Sequence, residues 1–246
     1  MRETTLDRLA GDWKIWQLRR GHRFSSDDLF TAWLAGRECP GTRRVCDLGS
    51  GIGSVGLLTL WQLAPAATLV CVEAQELSAE LCRRTLATNG LEARVESRIG
   101  DLRDPTVVPE ERAFDLVTGS PPYIPLGRGV VSSNPQRAAA RMELRGSIHD
   151  YARTAARILA PGGAFVVCFA AADTRGERAL AEAGLHLHVR QDVVFRAPEP
   201  PLITVLLGRH EAGPCDRRSP VVIRGPTGDW TEAYLAIRRA MGAPAD

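Results

Sequence analysis

Three stretches of this 246-residue chain combine side chains and backbone suited to chemistry. The first is Asp47-Leu48-Gly49-Ser50-Gly51-Ile52-Gly53, a carboxylate followed by alternating glycines. Gly49 and Gly51, with Ser50 between them, let backbone approach a ligand with no Cβ in the way. The second is a pair of acids that each close an apolar run: Glu73, 22 residues past Gly51, and Asp101, followed by Leu102. A carboxylate at Glu73 can accept hydrogen bonds from both hydroxyls of a ribose, and Asp101 can accept from an adenine amino group. The third is Ser120-Pro121-Pro122-Tyr123. Adjacent prolines fix φ and remove two N–H donors, which leaves a stiff rim with free carbonyls. Those carbonyls can accept from a flat exocyclic amine while the Tyr123 ring stacks on the plane that carries it.

These residues need a frame that brings them together, and the hydrophobic pattern supplies one. Residues 26–37 read as a helix, with Ser26 as its cap and Asp27 and Asp28 in its first turn. RRVCDL then reads as a strand, and the glycine stretch turns it into a helix. ATLVCVEA is a second strand, QELSAELCRRTLATNG a helix stopped at Asn89-Gly90, ARVESRIGDL a third strand and AFDLVTGS a fourth. HDYARTAARILAPGG is a helix, AFVVCFA a fifth strand, and a helix follows near 174–184. HLHVRQDVVF and PLITVLLGR have no helix between them and read as an antiparallel hairpin at one edge. The order predicts an α/β, doubly wound, Rossmann-like sheet of seven strands with an antiparallel edge strand. Ligands of such sheets bind at the carboxyl ends of the strands, where all three motifs fall. The tail, SPVVIRGPTGDWTEAYLAIRRAM, adds a short strand and a closing helix. Residues 1–40 form an N-terminal extension and 41–246 the main domain with its C-terminal strand and helix.

Composition is that of an ordinary soluble globular chain, 44% apolar and 24% charged. No apolar run is long enough for a bilayer, and MRETTLDRLAGDWK has no apolar core of a secretory signal. The six cysteines form no CxxC and stand beside no His at ligand spacing, so reduced thiols, a cytoplasmic protein and no metal are expected. The formal net charge is only +2, and Lys14 is the single lysine among 31 basic residues. Two segments are locally basic. Residues 1–25 hold six bases against three acids, and residues 125–147 hold Arg128, Arg137, Arg141 and Arg145 against Glu143. They are candidates to face phosphates.

The glycine spacing is not that of a dinucleotide site, because Ser54 stands where the third dinucleotide glycine would fall. Asp47 is poorly placed beside a pyrophosphate and suits an amine and a sulfonium, which favours S-adenosyl-L-methionine over NAD. Taken together, the Asp47 to Gly53 turn, Glu73, Asp101 and the [NDS]PP[YFW] elbow resemble the class I amino-methyltransferases. GHRFSSDDLFTAWLA, NPQRAAARMELRGSIHD and VIRGPTGDWTEAYLAIRRAM further resemble a bacterial family that methylates adenine N6 beside the anticodon of a valine tRNA. The resemblance implies a tRNA partner, no membrane, and an N-terminal segment that covers the cofactor. It makes Ser120, Pro121, Pro122 and Tyr123 the catalytic elbow. It also makes Asp47, Gly49, Ser50, Gly51, Gly53, Glu73, Asp101 and Leu102 the cofactor site, and Arg137, Arg141, Arg145 and Arg224 substrate contacts. Arg224 is either an RNA contact or a support for the elbow. A monomer is expected.

The sequence departs from the family at the elbow, where Ser120 replaces the usual Asn. A hydroxyl offers one short acceptor where an amide offers a carbonyl and a donor. Three alternatives therefore stay open: a protein glutamine-N5 methyltransferase, a DNA cytosine-N4 methyltransferase, and a non-catalytic RNA-binding relative.

Overall fold

The computed structural model describes residues 3–125, 127, 132 and 134–244; Arg2 and Arg128 of the basic segments lie outside them. The described residues open with a two-stranded antiparallel hairpin, β1 (Thr4–Ala10) and β2 (Trp13–Leu18), an element absent from the expected order. Helix α1 (Ser26–Glu38) follows. Its capping box is built by Ser25 and Asp28, so the cap falls one residue before Ser26. Then come β3 (Arg44–Leu48), α2 (Ser54–Gln62), β4 (Thr68–Glu73), α3 (Glu76–Asn89), β5 (Val95–Ile99) and β6 (Phe114–Gly119). A short helix, α4 (Pro135–Arg141), starts on the Asn134 side chain within what the sequence presents as a loop. The remaining elements are α5 (Ile148–Ile158), β7 (Leu159–Ala170), α6 (Arg175–Glu182), β8 (His186–Arg196), β9 (Ile203–Arg209), β10 (Asp216–Arg224) and α7 (Glu232–Ala240). Helix α5 stops at Ile158, short of the expected Pro161-Gly162, and Leu159 already pairs with Phe114 of β6.

Among the described residues, ten strands form the hairpin and one eight-stranded sheet, ordered β10-β8-β9-β7-β6-β3-β4-β5. β3, β4, β5, β6 and β7 run parallel, β9 is antiparallel to both of its neighbours, and β10 is parallel to β8. The hairpin of the last two expected strands is there as β8 and β9. The reversed strand, β9, nevertheless lies inside the sheet rather than at its edge. It inserts between β7 and β8, and the tail strand β10 adds an eighth position beyond them. β10 carries Pro220 and a break in register between Arg218 and Val221.

Each face of the sheet buries its own apolar layer. On one face α1, α2 and α3 cover Val45, Leu69, Leu116, Val166 and Val205; on the other α5 and α6 cover Cys46, Val70, Val117, Phe165 and Leu206. Removing such side chains from water contributes about 1.5–3 kcal/mol each. The tail is part of this packing: Tyr234 of α7 stacks on fully buried Phe30 of α1, with ring centroids 5.8 Å apart. Four of the six cysteines, Cys46, Cys71, Cys82 and Cys168, are buried, and all six are free thiols. Among the described residues, no helix is long and apolar enough to cross a membrane.

Candidate active site

A cavity of about 440 Å³ opens at the carboxyl ends of β3, β4 and β6, and it collects most of the residues singled out above. Its floor is the glycine turn. Gly49 has φ +59°, and a Cβ on it would come 1.8 Å from the Tyr151 hydroxyl of α5, so only glycine fits. Gly51 also has positive φ, +56°, but the space beside it is open. The turn thus offers bare backbone to the cavity. Ser50 adds a hydroxyl that is buried and without a hydrogen-bond partner.

Acids surround this floor. Asp47 is 1% exposed; it accepts from the Gly56 amide at 2.9 Å and the Thr118 hydroxyl at 2.8 Å. Glu73 accepts from the Gly51 amide at 2.8 Å and the Gln75 amide at 2.6 Å, which ties the end of β4 to the glycine turn. Two more carboxylates come from the first turn of α1. Asp28 accepts from the Ser25 amide and the Ser54 hydroxyl, each at 3.0 Å, and Asp27 accepts from the Tyr123 hydroxyl at 3.2 Å. Burial raises all four above the ordinary carboxylate range. Asp28, with the Asp27 charge beside it, is pushed up to about 7, and Asp47 to about 6. Three buried carboxylates and the half-buried Asp27 thus face one cavity.

The elbow forms the opposite wall, with Ser120, Pro121, Pro122 and Tyr123 all lining the cavity. The Tyr123 ring stands edge-on to Phe169 at 5.4 Å, and its hydroxyl also bonds the Cys168 thiol at 3.0 Å. Its ring therefore packs on the core at one side and meets the cavity at the other. Arg175, the first residue of α6, holds the elbow from behind. It donates to the Tyr123 carbonyl at 3.3 Å, to Glu143 at 2.6 Å and to Asp173 at 2.7 Å, and lies over the Phe169 ring. The segment carrying Glu143 is itself zipped to the elbow. The Ile124 amide donates to the Arg141 carbonyl, and the Glu143 amide to the Ile124 carbonyl, both at 3.0 Å.

The N-terminal segment and α4 roof the cavity. Gln136 accepts from the His22 amide at 3.0 Å and donates to Ser78 of α3 at 3.1 Å. Arg137 donates to the Gly21 carbonyl at 3.1 Å. Arg145 donates to the Ala74 carbonyl at 2.6 Å, where its charge lies near Glu73. Arg137, Arg141 and Arg145 are exposed and line the mouth. Burial, then the charges of Arg137 and Arg141, hold His22 below the ordinary imidazole range.

Of the anticipated residues, Asp47, Gly49, Ser50, Gly51, Glu73, Leu102, the elbow and these three arginines come together. Gly53, Asp101 and Arg224 do not line the cavity. Gly53 caps α2 with φ +90°, and a Cβ there would meet the Cys82 sulfur at 2.8 Å. Asp101 turns to Arg103, at 2.6 Å. Arg224 ends β10, four strands from β6, and the residue that bonds the elbow from behind is Arg175. Asp27 and Asp28 carried a signal that reads equally well as helix capping. His22, Gln136, Tyr151 and Arg175 carried none, because their roles depend on contacts distant in sequence.

The arrangement, a glycine turn and strand-end acids facing a double-proline elbow across one cavity, lies where the fold of a class I methyltransferase places its site. A solved structure of a predicted O-methyltransferase from Agrobacterium tumefaciens superposes with a TM-score of 0.65 at 19% identity, covering 89% of this chain and 98% of that one. The geranyl diphosphate C-methyltransferase of Streptomyces coelicolor A3(2), solved with S-adenosyl-L-homocysteine, gives 0.53 at 12% identity over 74% of this chain and 79% of that one. Residues 28–184 match the methyltransferase small domain, and the chain belongs to that family. It is 28% identical over 201 residues to the tRNA1(Val) (adenine(37)-N6)-methyltransferase of Cronobacter sakazakii, across 80% of each chain. The enzyme of that name from Escherichia coli strain K12 / DH10B is 28% identical over 215 residues, 86% of this chain and 84% of that one.

Proposed function

We propose that this protein uses S-adenosyl-L-methionine to methylate an exocyclic amine, the N6 of an adenine in a tRNA anticodon loop. The observation that carries the reading is the opening of the glycine turn, the four carboxylates Asp27, Asp28, Asp47 and Glu73, and the SPPY elbow into one cavity. The cavity fits this cofactor on its own evidence. The Ser50 hydroxyl is buried without a partner, the space beside Gly51 is open, and the acids suit a ligand bearing an amine and a sulfonium. Glu73 would hold the ribose, with the Gly49 to Gly51 backbone against the amino-acid portion and Leu102 against the adenine. When bound, the cofactor supplies an electrophilic methyl group.

The chain's own residues do the rest by positioning. Ser120 Oγ and the Pro121 carbonyl accept the N–H bonds of the target amine. That bonding turns the nitrogen lone pair out of the ring and stabilises the positive charge that develops there. Tyr123 supports the base plane, and Arg137, Arg141 and Arg145 meet flanking phosphates at the mouth. An anticodon loop suits such a site, because its bases can be splayed out and inserted.

The test is purified protein with labelled cofactor and, separately, unmodified tRNA, DNA and protein, with the modified nucleoside identified by mass spectrometry. The expected product is N6-methyladenosine in tRNA, and Ser120→Ala lowers kcat by roughly 10- to 100-fold. Label appearing only in cytosine of DNA or in a protein glutamine overturns the substrate assignment.

A further inference from the structure

A second basic site lies on the same edge of the sheet as the cavity, at the far end of the rim. β8 and β10 run parallel to β6 and β7, so their carboxyl ends open on the side of the elbow. Arg196 ends β8 and Arg224 ends β10, side by side in register. Trp230 bridges back to Arg224, whose guanidinium lies 5.8 Å from the indole centre. Arg238 of α7 lies 4.3 Å from the same ring. The guanidinia of Arg224 and Arg196 converge on the turn at Gly228. Arg224 donates to the Gly228 carbonyl at 2.6 Å, and Arg196 lies 3.7 Å from where a Cβ on Gly228 would stand.

Three arginines thus share one corner, and among the described residues none forms an ion pair. Of the acids nearby, Glu232 pairs with Arg239 and Asp229 accepts from the Thr227 hydroxyl, while exposed Glu199, whose amide donates to the Arg196 carbonyl at 2.8 Å, pairs with none of the three. Like charges paired across neighbouring strands oppose folding unless an anion lies between them. Arg190, Arg217 and Arg218, on the same two strands, all bond carboxylates.

We infer that Arg196, Arg224 and Arg238, arrayed about Trp230, form a phosphodiester-binding site that holds the RNA backbone outside the cavity. The inference rests on the proposed tRNA substrate. Four strand steps separate β6 from β10, roughly 19 Å at about 4.8 Å each. A base inserted at the elbow leaves its flanking chain on the rim, and this corner lies within a few nucleotides of it. Guanidinium forks suit phosphate oxygens, and Trp230 keeps two of them oriented by stacking.

The experiment measures tRNA binding across a salt series for the full chain, its Arg196→Gln/Arg224→Gln variant, Arg196→Gln alone and Arg224→Lys. Cofactor affinity and kcat at saturating tRNA are measured on each. The double variant is expected to bind tRNA roughly tenfold more weakly at about 150 mM salt, and its log–log salt slope to fall by about one to two. Cofactor affinity and saturated kcat stay at the wild-type values, and Arg224→Lys keeps the slope. Arg196 is exposed and its side chain makes no hydrogen bond or ion pair among the described residues, so Arg196→Gln tests the site without disturbing the turn; its slope falls by about one. An unchanged slope in both glutamine variants, with wild-type tRNA methylation intact, removes this site alone. A wild-type protein that neither binds nor methylates tRNA removes the proposed function with it.

Discussion

Replacing Arg175 with Met tests whether the elbow is held from behind. Arg175 bonds Glu143, Asp173 and the Tyr123 carbonyl, and its side chain is 21% exposed against 12% for Glu143. Methionine keeps much of the stem's volume and removes every donor. Glu143 then sits largely buried without its cation. Charged hydrogen bonds of this kind contribute about 1.5–3 kcal/mol each, so a loss of about 3 kcal/mol is expected after partial solvation. For a chain of this length that lowers Tm by roughly 6–12 °C. The functional effect is separate. Tyr123 loses the donor on its carbonyl, and a shift of the rim by about 1 Å lowers kcat by on the order of 100-fold. Calorimetric cofactor affinity should not change, since no residue of the glycine turn touches Arg175. Adding Glu143→Gln to Arg175→Met restores part of the Tm but not the rate. A saturated kcat within about twofold of wild type, alongside the lost Tm, would show that the elbow keeps its position without this residue.

Two further outcomes follow from the cavity. Gly49→Ala places a Cβ where Tyr151 Oη stands, at a backbone angle that L residues rarely adopt, and should reduce cofactor binding by at least about 100-fold in a calorimetric titration. Asp28 governs a pH effect: its native carboxyl titrates at about 7 rather than the ordinary 3.8, so between those values the native state holds a proton that the unfolded chain has released. Stability therefore falls as pH rises from about 4 to 7 and levels off above. Asp28→Asn should flatten that fall between about pH 6 and 7, leaving a shallower slope below 6 from Asp47, which titrates at about 6. Urea titrations at several pH values, giving equal slopes for both proteins, would count against it.

Much of this molecule can be read from its residues because the informative features are local. A glycine turn between an apolar strand and a helix, an acid closing the next strand and a double proline closing another each declare their position by spacing. The parallel sheet follows from the alternation of elements. What stayed hidden depends on partners far along the chain. The β1–β2 hairpin is masked by charged residues on its exposed faces. α4 is a single short helix whose buried Gln136 reaches residues 58 and 114 positions away. Arg175 looks like any helix-start arginine until the fold sets it behind Tyr123. Asp101 shows the converse: it sits at the expected strand end, yet Arg103, two residues on, turns its carboxylate aside.

The tail strand also decides what the margin of the sheet offers to other chains. Without β10, the open border would be β8, an eleven-residue strand whose amide and carbonyl groups facing away from β9 would be unpaired, with exposed Phe195 beside its end. Such borders recruit foreign strands and seed aggregates. β10 covers that ladder and presents a poor template in its place, since Pro220 has no N–H to give and the bulge between Arg218 and Val221 interrupts the repeat. The C-terminal segment thereby acts as a guard for solubility, independent of any part it takes in recognition.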